Sequence, residues 1–315
     1  MSATVFIDGE VGTTGLQIRE RLENRADLSF LRLDESERKD LKRRGDMLNG
    51  ADIVILCLPD DAARDAVAMI ENTAVRVIDA SSAHRIADGW VYGMPEYDPG
   101  QPEKIAAAKR VTNPGCYALT AVSILHPLVA GGVIPVLHPI TINAISGYSG
   151  GGKQMIADFE DPENGAYAKT PFRVYGLGLA HKHVPEITTW SGLGHVPLLV
   201  PSVGPFRQGM IVQVPLQLWA LPGKVTPSDV HEALADHYAG QRFVKVKSLS
   251  ETAAMSGLEP EGLNGTNELH LHVFGNAATG QAVVMGLIDN LGKGASGQAV
   301  QNLNLMLGVA PDTGL

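Results

Sequence analysis

The segment TVFIDGEVGTTGLQIRERL, residues 4–22, decides the fold of the first half of the chain. It begins as a short apolar strand, continues through a turn with glycines at 9, 12 and 15, and enters a helix carrying Leu16 and Leu22. Downstream elements are predicted in the same alternation: strands at residues 28–33, 53–58 and 75–79, and helices from Ser36 and over residues 60–71. This alternation is typical of an α/β domain with a doubly wound parallel sheet.

The second half of the chain has a different pattern. Strands with alternating apolar residues are predicted at residues 140–144, 212–218 and 269–273, with a helix over 228–238. Since strands outnumber helices, we expect an α+β domain with a mostly antiparallel sheet. A strand at 282–288 precedes a last helix that returns to the first domain. The predicted domains are residues 1–115 with 290–315, and residues 116–289.

Composition limits the function classes. The 315 residues are 44% hydrophobic and carry a formal net charge of −9, which fits a two-domain globular protein and argues against nucleic-acid binding. No apolar stretch approaches the roughly 18 residues of a membrane helix, and the N-terminus has no signal-peptide pattern. Two cysteines without a secretion signal indicate the cytoplasm.

One of the two cysteines, Cys116, lies in the motif NPGCY at residues 113–117. Asn113 is predicted to cap the apolar helix that follows, which puts Cys116 in its first turn. Unpaired N–H groups and the helix dipole there lower a thiol pKa and favour a nucleophilic thiolate. The alternative is a small buried hydrophobic residue, the usual environment of a free cysteine. That alternative is preferred for Cys57, which lies in an apolar strand.

The second polar cluster is HKHVPE at residues 181–186. An imidazole is a natural companion for Cys116, because its pKa lies near neutral pH and it can act as acid or base. His181 and His183 are both candidates, and a solvated loop is the alternative. A metal site is disfavoured because the pair lacks a third and fourth ligand nearby. His270 and His272 alternate with apolar residues and are interpreted as a polar strand face.

The glycine turn predicts a dinucleotide site, because its N–H groups and the following helix N-terminus can hold a pyrophosphate. Its spacing differs from the standard G-x-G-x-x-G, and the alternative is a tight turn without a ligand. After the second strand, Asp34 and Glu35 would suit a ribose hydroxyl. Ser36, Arg38 and Lys39 would suit a 2′-phosphate, so NAD and NADP both stay open.

Two arginines and a glycine-rich loop are further candidates for anion binding. Arg85 follows the strand that ends at Asp79, and Arg207 ends the segment PSVGPFR; either guanidinium could hold a phosphate or carboxylate. A surface ion pair is the alternative for each. The loop at residues 147–153 is rich in N–H groups but lacks P-loop spacing.

Together these motifs resemble the short form of the N-acetyl-γ-glutamyl-phosphate reductases, relatives of the aspartate-semialdehyde dehydrogenases. The resemblance spans nearly the whole chain. It is carried by the glycine turn, by NPGCY and HKHVPE, and by two further motifs, SGYSG at residues 146–150 and DNLGKGASGQAVQN at residues 289–302. It implies a Rossmann domain that binds NADP(H), a second domain that forms homo-oligomer contacts in a homodimer or homotetramer, and a place in arginine biosynthesis.

The resemblance also implies roles for individual residues. Cys116 is the expected nucleophile, His181 the expected acid or base and His183 a supporting residue. Arg85 and Asn113 are the phosphate contacts that the resemblance implies, and Arg207 is a further substrate or phosphate candidate from the residues themselves. Cofactor contacts are expected at Gly9, Gly12, Thr13, Thr14, Gly15, Ser36, Arg38, Ser81, Gly147, Gly150 and Asn290.

The implied reaction begins with attack of the Cys116 thiolate on an acyl phosphate and release of phosphate. Hydride transfer to the thioester then gives an aldehyde, with His181 protonating the hemithioacetal oxygen. Three alternatives stay open: a semialdehyde dehydrogenase of the aspartate or aminoadipate type, a Cys-His acyltransferase or hydrolase, and a redox-sensing dinucleotide-binding protein.

Overall fold

A computed structural model describes residues 2–38 and 40–315 of the chain. They form two compact units, the first running to Gly115 and resuming over Ala295–Leu315, the second covering Cys116–Gly294. The sequence places the return to the first domain at residue 290, whereas residues 290–294 belong to the second unit. Lys39, considered above for a 2′-phosphate, lies outside the described residues.

The first unit is built on a parallel sheet with helices in its connections. Its elements before the second unit are β1 (Ala3–Asp8), α1 (Thr13–Leu22), β2 (Leu28–Leu31), α2 (Leu41–Gly50), β3 (Ile53–Leu56), α3 (Asp60–Ala68), β4 (Arg76–Asp79), β5 (Val91–Tyr92), α4 (Gln101–Ala107) and β6 (Arg110–Thr112). The strand order is β2-β1-β3-β4-β6-β5, and these neighbouring strands are all parallel. The predicted doubly wound α/β sheet is confirmed.

The central strands of this sheet carry continuous apolar runs, at residues 5–7 in β1, 53–56 in β3 and 77–78 in β4, because both faces are covered. On one face, Val5 and Ile55 pack in the same cluster as Leu22 of α1. On the other face, Phe6 packs with Leu48 of α2. Burial on both faces explains why the strands show continuous apolar runs instead of alternation.

The segment after β2 differs from the prediction. The strand ends at residue 31, and the helix predicted from Ser36 begins only at residue 41. The carboxylate of Asp40 accepts hydrogen bonds from the backbone N–H groups of Lys42 and Arg43 at 2.9 and 3.2 Å, which fixes the start of α2. Ser36 lies in the turn before it.

The second unit contains a mixed sheet. Its elements are α5 (Cys116–Ala130), β7 (Thr141–Gly147), α6 (Gly152–Glu160), β8 (Arg173–Val174), α7 (Val184–Trp190), β9 (Leu198–Gly204), β10 (Met210–Gln217), α8 (Pro227–His237), β11 (Val244–Val246), α9 (Leu249–Ala253), β12 (Leu269–Asn276) and β13 (Gln281–Ile288). The strand order is β11-β12-β13-β10-β7-β9-β8. The β11–β12 and β7–β9 pairs are parallel and the other neighbours antiparallel, which confirms the predicted α+β sheet.

Helix α5 is buried on nearly every side. It packs against β10 and β13 of the sheet and against helices α7 and α8. The hydroxyl of Tyr238, just after α8, donates to the carbonyl of Ser123 at 2.9 Å and ties the two helices together. A helix that is apolar all round needs such partners on all its faces. No helix among the described residues is long and apolar enough to cross a membrane.

The chain then passes through a π-helical turn, Gly292–Ser296, into α10 (Gly297–Leu307), which packs against α1 and α4. The sequence predicts that Asn113 caps α5, and this is wrong. Its side-chain N–H donates to the carbonyl of Ala295 at 3.0 Å, and its oxygen accepts from Asn302 at 3.1 Å. Because the amide is engaged with the α10 segment, α5 begins at Cys116 without it.

Candidate active site

The glycine turn connects β1 to α1 with very close backbone packing. A Cβ on Gly9, whose φ is +90°, would lie 2.3 Å from the carbonyl oxygen of Cys57, and one on Gly15 would lie 2.4 Å from the carbonyl oxygen of Gly9. Only glycine fits these two positions. Gly12 stands at the N-cap and has no side chain to occupy the first N–H groups of α1, where Thr13 and Thr14 lie.

The turn lies between β1 and β3, where the order of the strands reverses direction. This is the position at which open α/β sheets bind ligands. A cleft of about 210 Å³ opens there, lined by Gly9, Glu10, Val11, Arg38 and Arg44 among others. The turn at Gly9, Gly12 and Gly15, called the glycine cradle below, suits a dinucleotide, since N–H groups at a helix start attract phosphate. The guanidinium groups of Arg38 and Arg44 add positive charge to the cleft.

The two carboxylates of the turn each have arginine partners. Asp8 accepts a hydrogen bond from Nε of Arg44 at 2.7 Å, and both side chains are nearly buried. Burial raises the pKa of Asp8, and Arg44 offsets part of that rise. Glu10 lies 3.8 Å from Arg19 and 3.9 Å from Arg38. The predicted 2′-phosphate residue Arg38 therefore faces this cleft in a loose ion pair.

The loop after β4 holds Ser81 and Arg85 through backbone and carboxylate contacts. Asp79 is fully buried and accepts hydrogen bonds from the Ser81 hydroxyl at 2.7 Å and from Nδ1 of His84 at 2.6 Å. The His84 ring stacks on Trp90 with centroids 4.3 Å apart. Arg85 is buried and donates to the carbonyl of Ala80 at 3.1 Å. This network fixes the loop at the carboxyl end of β4.

In the second unit, Cys116 is the first residue of α5 and is half-buried. As the N1 residue, it lies where helix N–H groups have no intrahelical acceptor and stabilise an anion. The π-helical turn passes close to it, because a Cβ on Gly294 would lie 3.0 Å from the Cys116 Cβ. Glycine at 294 thus leaves room for the cysteine side chain.

The two histidines meet at the ring of Tyr117, the neighbour of Cys116 in the chain. Tyr117 makes edge contacts with His181 and His183, with ring centroids 5.6 and 5.8 Å apart, and the two imidazoles lie 4.8 Å from each other. The backbone N–H of His183 donates to Nδ1 of His181 at 3.2 Å. Because Nδ1 accepts this bond, the neutral His181 ring carries its proton on Nε2.

A second tyrosine belongs to this cluster. The hydroxyl of Tyr175 donates to the hydroxyl of Tyr117 at 3.0 Å, and its ring lies 6.0 Å from that of His181. Burial raises the pKa of Tyr175 to about 12, with a further contribution from the charge of Cys116. Burial, first of all, also raises the pKa of Tyr117 well above its usual value. Both phenols are therefore neutral at physiological pH.

The other predicted residues of this unit lie in separate packing contacts. Asn290 is buried; its amide donates to the Ser149 hydroxyl at 3.1 Å and accepts from the backbone of residue 209 at 2.7 Å. Gly150 is packed beside it, and a Cβ there would lie 3.4 Å from the Asn290 nitrogen. Gly147 is packed against the backbone of Arg207, whose guanidinium forms an ion pair with Glu160 at 2.5 Å.

The remaining cysteine has a different environment. Burial, assisted by the charges of Asp79 and Asp8, raises the pKa of Cys57 to about 12. A thiol with such a pKa is protonated at neutral pH and is a poor nucleophile. Within residues 2–38 and 40–315, no group of three or more His, Cys, Asp or Glu side chains is placed to hold a metal ion.

The structure adds three side chains that the sequence reasoning did not assign to a site. Tyr117 stood in the quoted NPGCY motif, and its place after the cysteine was the available signal. Arg44 is 36 residues from Asp8, and no local pattern pairs the two. Tyr175 is 58 residues from Tyr117, and no local pattern connects them.

Comparison with known proteins agrees with this two-part architecture. Residues 4–108 match the family model for the semialdehyde dehydrogenase NAD binding domain, and residues 116–290 match the semialdehyde dehydrogenase dimerisation domain. Solved structures with similar folds include aspartate semialdehyde dehydrogenase II complexed with ASA from Vibrio cholerae, with a TM-score of 0.71, 16% identity and 98% of each chain covered. Another is aspartate semialdehyde dehydrogenase with NADP from Candida albicans, with a TM-score of 0.66, 14% identity, and 98% and 99% of the two chains covered.

Sequence relatives extend over almost the full chain. An N-acetyl-gamma-glutamyl-phosphate reductase from Burkholderia ambifaria is 56% identical, covering 97% of this chain and 96% of the relative. N-acetyl-gamma-glutamyl-phosphate reductase 2 from Pseudomonas putida is 54% identical, covering 96% of each. The protein of the same name from a Nostoc species is 49% identical, covering 99% and 98%.

Proposed function

The chain belongs to the N-acetyl-γ-glutamyl-phosphate reductase family, and on this premise we propose that it reduces N-acetyl-γ-glutamyl phosphate to N-acetylglutamate 5-semialdehyde. Phosphate is released, and the reaction belongs to arginine biosynthesis in the cytoplasm. The observation that carries the proposal is the cluster of Cys116, His181 and His183 around Tyr117 in a chain that matches these reductases from end to end.

The nucleophile is the thiolate of Cys116 at the start of α5. It attacks the acyl carbon, the bond from that carbon to the phosphate oxygen breaks with its electron pair on the oxygen, and a thioester forms. The N–H groups of the first turn of α5 support the thiolate before attack. Arg85 and Asn113 remain the proposed phosphate contacts.

His181 is the proposed group that supports the carbonyl oxygen. Since its Nδ1 accepts the N–H of His183, its Nε2–H is the hydrogen it offers. Full transfer of that proton from a neutral ring would leave an anionic imidazole, so we favour a hydrogen bond that stabilises the tetrahedral alkoxide. The alkoxide expels the thiolate, the carbon–sulfur bond breaks, and the aldehyde leaves with no net change at His181.

The nucleotide is proposed to be NADPH, held in the first unit. Its pyrophosphate fits the cradle of Gly9, Gly12 and Gly15, because any Cβ at the first or third glycine would collide with backbone atoms. Ser36 and Arg38 are the proposed 2′-phosphate contacts, and the similar Candida albicans dehydrogenase was solved with NADP. When bound, NADPH supplies the hydride that reduces the thioester.

The remaining cofactor contacts are proposed at Thr13, Thr14, Ser81, Gly147, Gly150 and Asn290, and Arg207 is retained as a proposed substrate contact. The second unit, which matches a dimerisation domain, is proposed to join copies of the chain into a homodimer or homotetramer. Sedimentation equilibrium distinguishes these two assemblies, and a monomer at micromolar concentration would contradict both.

The reverse reaction tests the proposal. With N-acetylglutamate 5-semialdehyde and NADP⁺, we expect NADPH to form only when phosphate is added. Cys116→Ser should reduce the rate by at least about 10³-fold, because the residue acts as the covalent nucleophile. Cys57→Ala is the matched control and should keep most of the activity.

The reverse assay, together with incubation of the acyl phosphate without nucleotide, separates the alternatives. A Cys-His hydrolase would release acid from the acyl phosphate without nucleotide, and a non-catalytic nucleotide sensor would show neither reaction. Faster turnover of aspartate semialdehyde than of the N-acetylated substrate would reassign the chain to the related dehydrogenases. Full activity in Cys116→Ser would refute covalent catalysis.

A further inference from the structure

A short chain of hydroxyl groups lies beside the His181 ring. The Tyr175 hydroxyl donates to the Tyr117 hydroxyl at 3.0 Å, and the Tyr117 hydroxyl donates to the carbonyl of Ser202 on β9 at 3.3 Å. A carbonyl oxygen only accepts, so the direction of both bonds is fixed. Tyr117 is thereby held at its far end by a strand and by a second tyrosine.

The aromatic ring of Tyr117 contacts both imidazoles. Its ring is 3% exposed and meets His181 and His183 at interplanar angles of 73° and 64°. Tyr175 adds a tilted contact to His181 at 6.0 Å. Edge contacts of this kind restrict ring rotation, because turning one ring drives it into the face of the next.

We propose that Tyr117 and Tyr175 are positioning residues for the reaction, which fix the orientation of the His181 imidazole. The proposal rests on the proposed function, since it assigns both tyrosines a role through His181. The hydrogen bond from the His183 backbone sets the tautomer, and the two tyrosines set the plane of the ring.

The phenols themselves exchange no proton in this scheme. Burial holds both hydroxyls in the neutral form, so each remains a hydrogen-bond donor over the working pH range. Their contribution is orientation, and misplacement of a catalytic group by about 1 Å costs as much as 10²-fold in rate. A role of this kind predicts losses in kcat, with little change in nucleotide binding.

The test replaces each phenol by a benzene ring. Tyr175→Phe and Tyr117→Phe keep the aromatic ring and remove one hydroxyl, so the packing changes little. Tyr238→Phe is the matched control, because Tyr238 is also buried and its hydroxyl also bonds a carbonyl, that of Ser123 on α5. Tyr175→Phe and Tyr238→Phe each lose one hydrogen bond and Tyr117→Phe loses two, and only Tyr117 and Tyr175 lie beside His181.

Three quantities are measured for each variant. We expect kcat to fall about 10- to 100-fold in Tyr175→Phe and Tyr117→Phe, with the Kd for NADPH within twofold of wild type. We also expect the pH dependence of Cys116 alkylation by iodoacetamide, measured without substrate or nucleotide, to move to higher pH, because in the free enzyme the Nε2–H of His181 is proposed as a further donor to the thiolate, beside the first-turn N–H groups. Tyr238→Phe should show neither change.

The proposal is overturned if both tyrosine variants keep the wild-type kcat and alkylation profile, or if Tyr238→Phe shifts the profile equally. Absence of phosphate-dependent NADPH formation by the wild-type protein would instead remove the proposed function itself. The alkylation measurement needs no turnover, so the two failures are distinguishable.

Discussion

Replacing Gly15 by alanine tests the glycine cradle most directly. The new Cβ would lie 2.4 Å from the carbonyl oxygen of Gly9 and 2.8 Å from the Cα of Glu10. These are backbone atoms, and the Gly9 carbonyl already accepts the N–H of Gly12 at 3.0 Å. Gly9 is also packed against the backbone of Cys57. The turn therefore has to move as a whole to admit one methyl group.

The size of the effect follows from two opposing terms. Overpacking against backbone costs about 3 kcal/mol, the upper end of the usual range. Alanine in place of glycine in a helix stabilises by up to about 1 kcal/mol. The free energy of unfolding should therefore fall by about 2 kcal/mol. A displaced turn also misdirects the N–H groups at the start of α1, so the Kd for NADPH should rise by at least about tenfold.

Gly45→Ala provides the matched control in the same unit. Gly45 lies inside α2, and a Cβ there would lie 3.5 Å from the terminal methyl of Met69, an ordinary contact with a flexible group. This variant should gain about 0.5 to 1 kcal/mol and bind NADPH unchanged. Urea denaturation followed by circular dichroism and a fluorescence titration with NADPH measure both quantities. A Gly15→Ala protein as stable as wild type with unchanged Kd would refute the reasoning.

Three further predictions concern charge. Arg44→Met should lower the free energy of unfolding by about 3 kcal/mol at neutral pH, because it leaves the nearly buried Asp8 carboxylate without its ion-pair partner. Since the pKa of Asp8 is raised on folding, its contribution to stability is lost as pH rises, and thermal unfolding midpoints should show a smaller deficit near pH 4 than at pH 7. Burial, and next the charge of His270, lowers the pKa of His272 below 6.5, so stability should fall as pH drops below that value. His272→Gln should flatten this dependence in thermal unfolding, and an equally steep curve would count against it. Glu10→Gln should lower the Kd for NADP⁺ about two- to fivefold and that for NAD⁺ by less, because it frees Arg38 from a competing carboxylate; weaker NADP⁺ binding would contradict this.

The sequence predicted the fold class because both sheets have strong patterns. Continuous apolar strands alternating with helices indicate a parallel sheet, and alternating strands indicate the second sheet. The first residues of helices α2 and α5 were less predictable, because a polar residue that could cap the helix does not always do so. Ser36 was a plausible helix start, but Asp40 provides the cap. Asn113 was a plausible cap, but Asn302, far along the chain, takes its oxygen.

Some residues of the candidate site could be predicted from the sequence and others could not. Cys116 and the two histidines could be proposed from sequence because scarce, reactive residue types stood out in short motifs. Their common contact, Tyr117, looked like an ordinary aromatic residue of a buried helix. Tyr175 depends on β8 and β9 placing it beside that ring, and such long-range contacts leave no periodic signal.

The turn between β1 and α1 carries two carboxylates, Asp8 and Glu10, whose negative charge is unfavourable beside a bound pyrophosphate. Two carboxylates beside a pyrophosphate site would each repel the ligand if left alone. Asp8 is compensated by Arg44 in a nearly buried pair, so its charge is cancelled locally and remains so when a ligand arrives. Glu10 is compensated by loose pairs with Arg19 and Arg38, which a phosphate can replace. The Asp8–Arg44 pair therefore contributes mainly to the stability of the fold, and the Glu10 pairs affect mainly which nucleotide binds. For this reason Arg44→Met is expected to change the free energy of unfolding, and Glu10→Gln is expected to change nucleotide affinity.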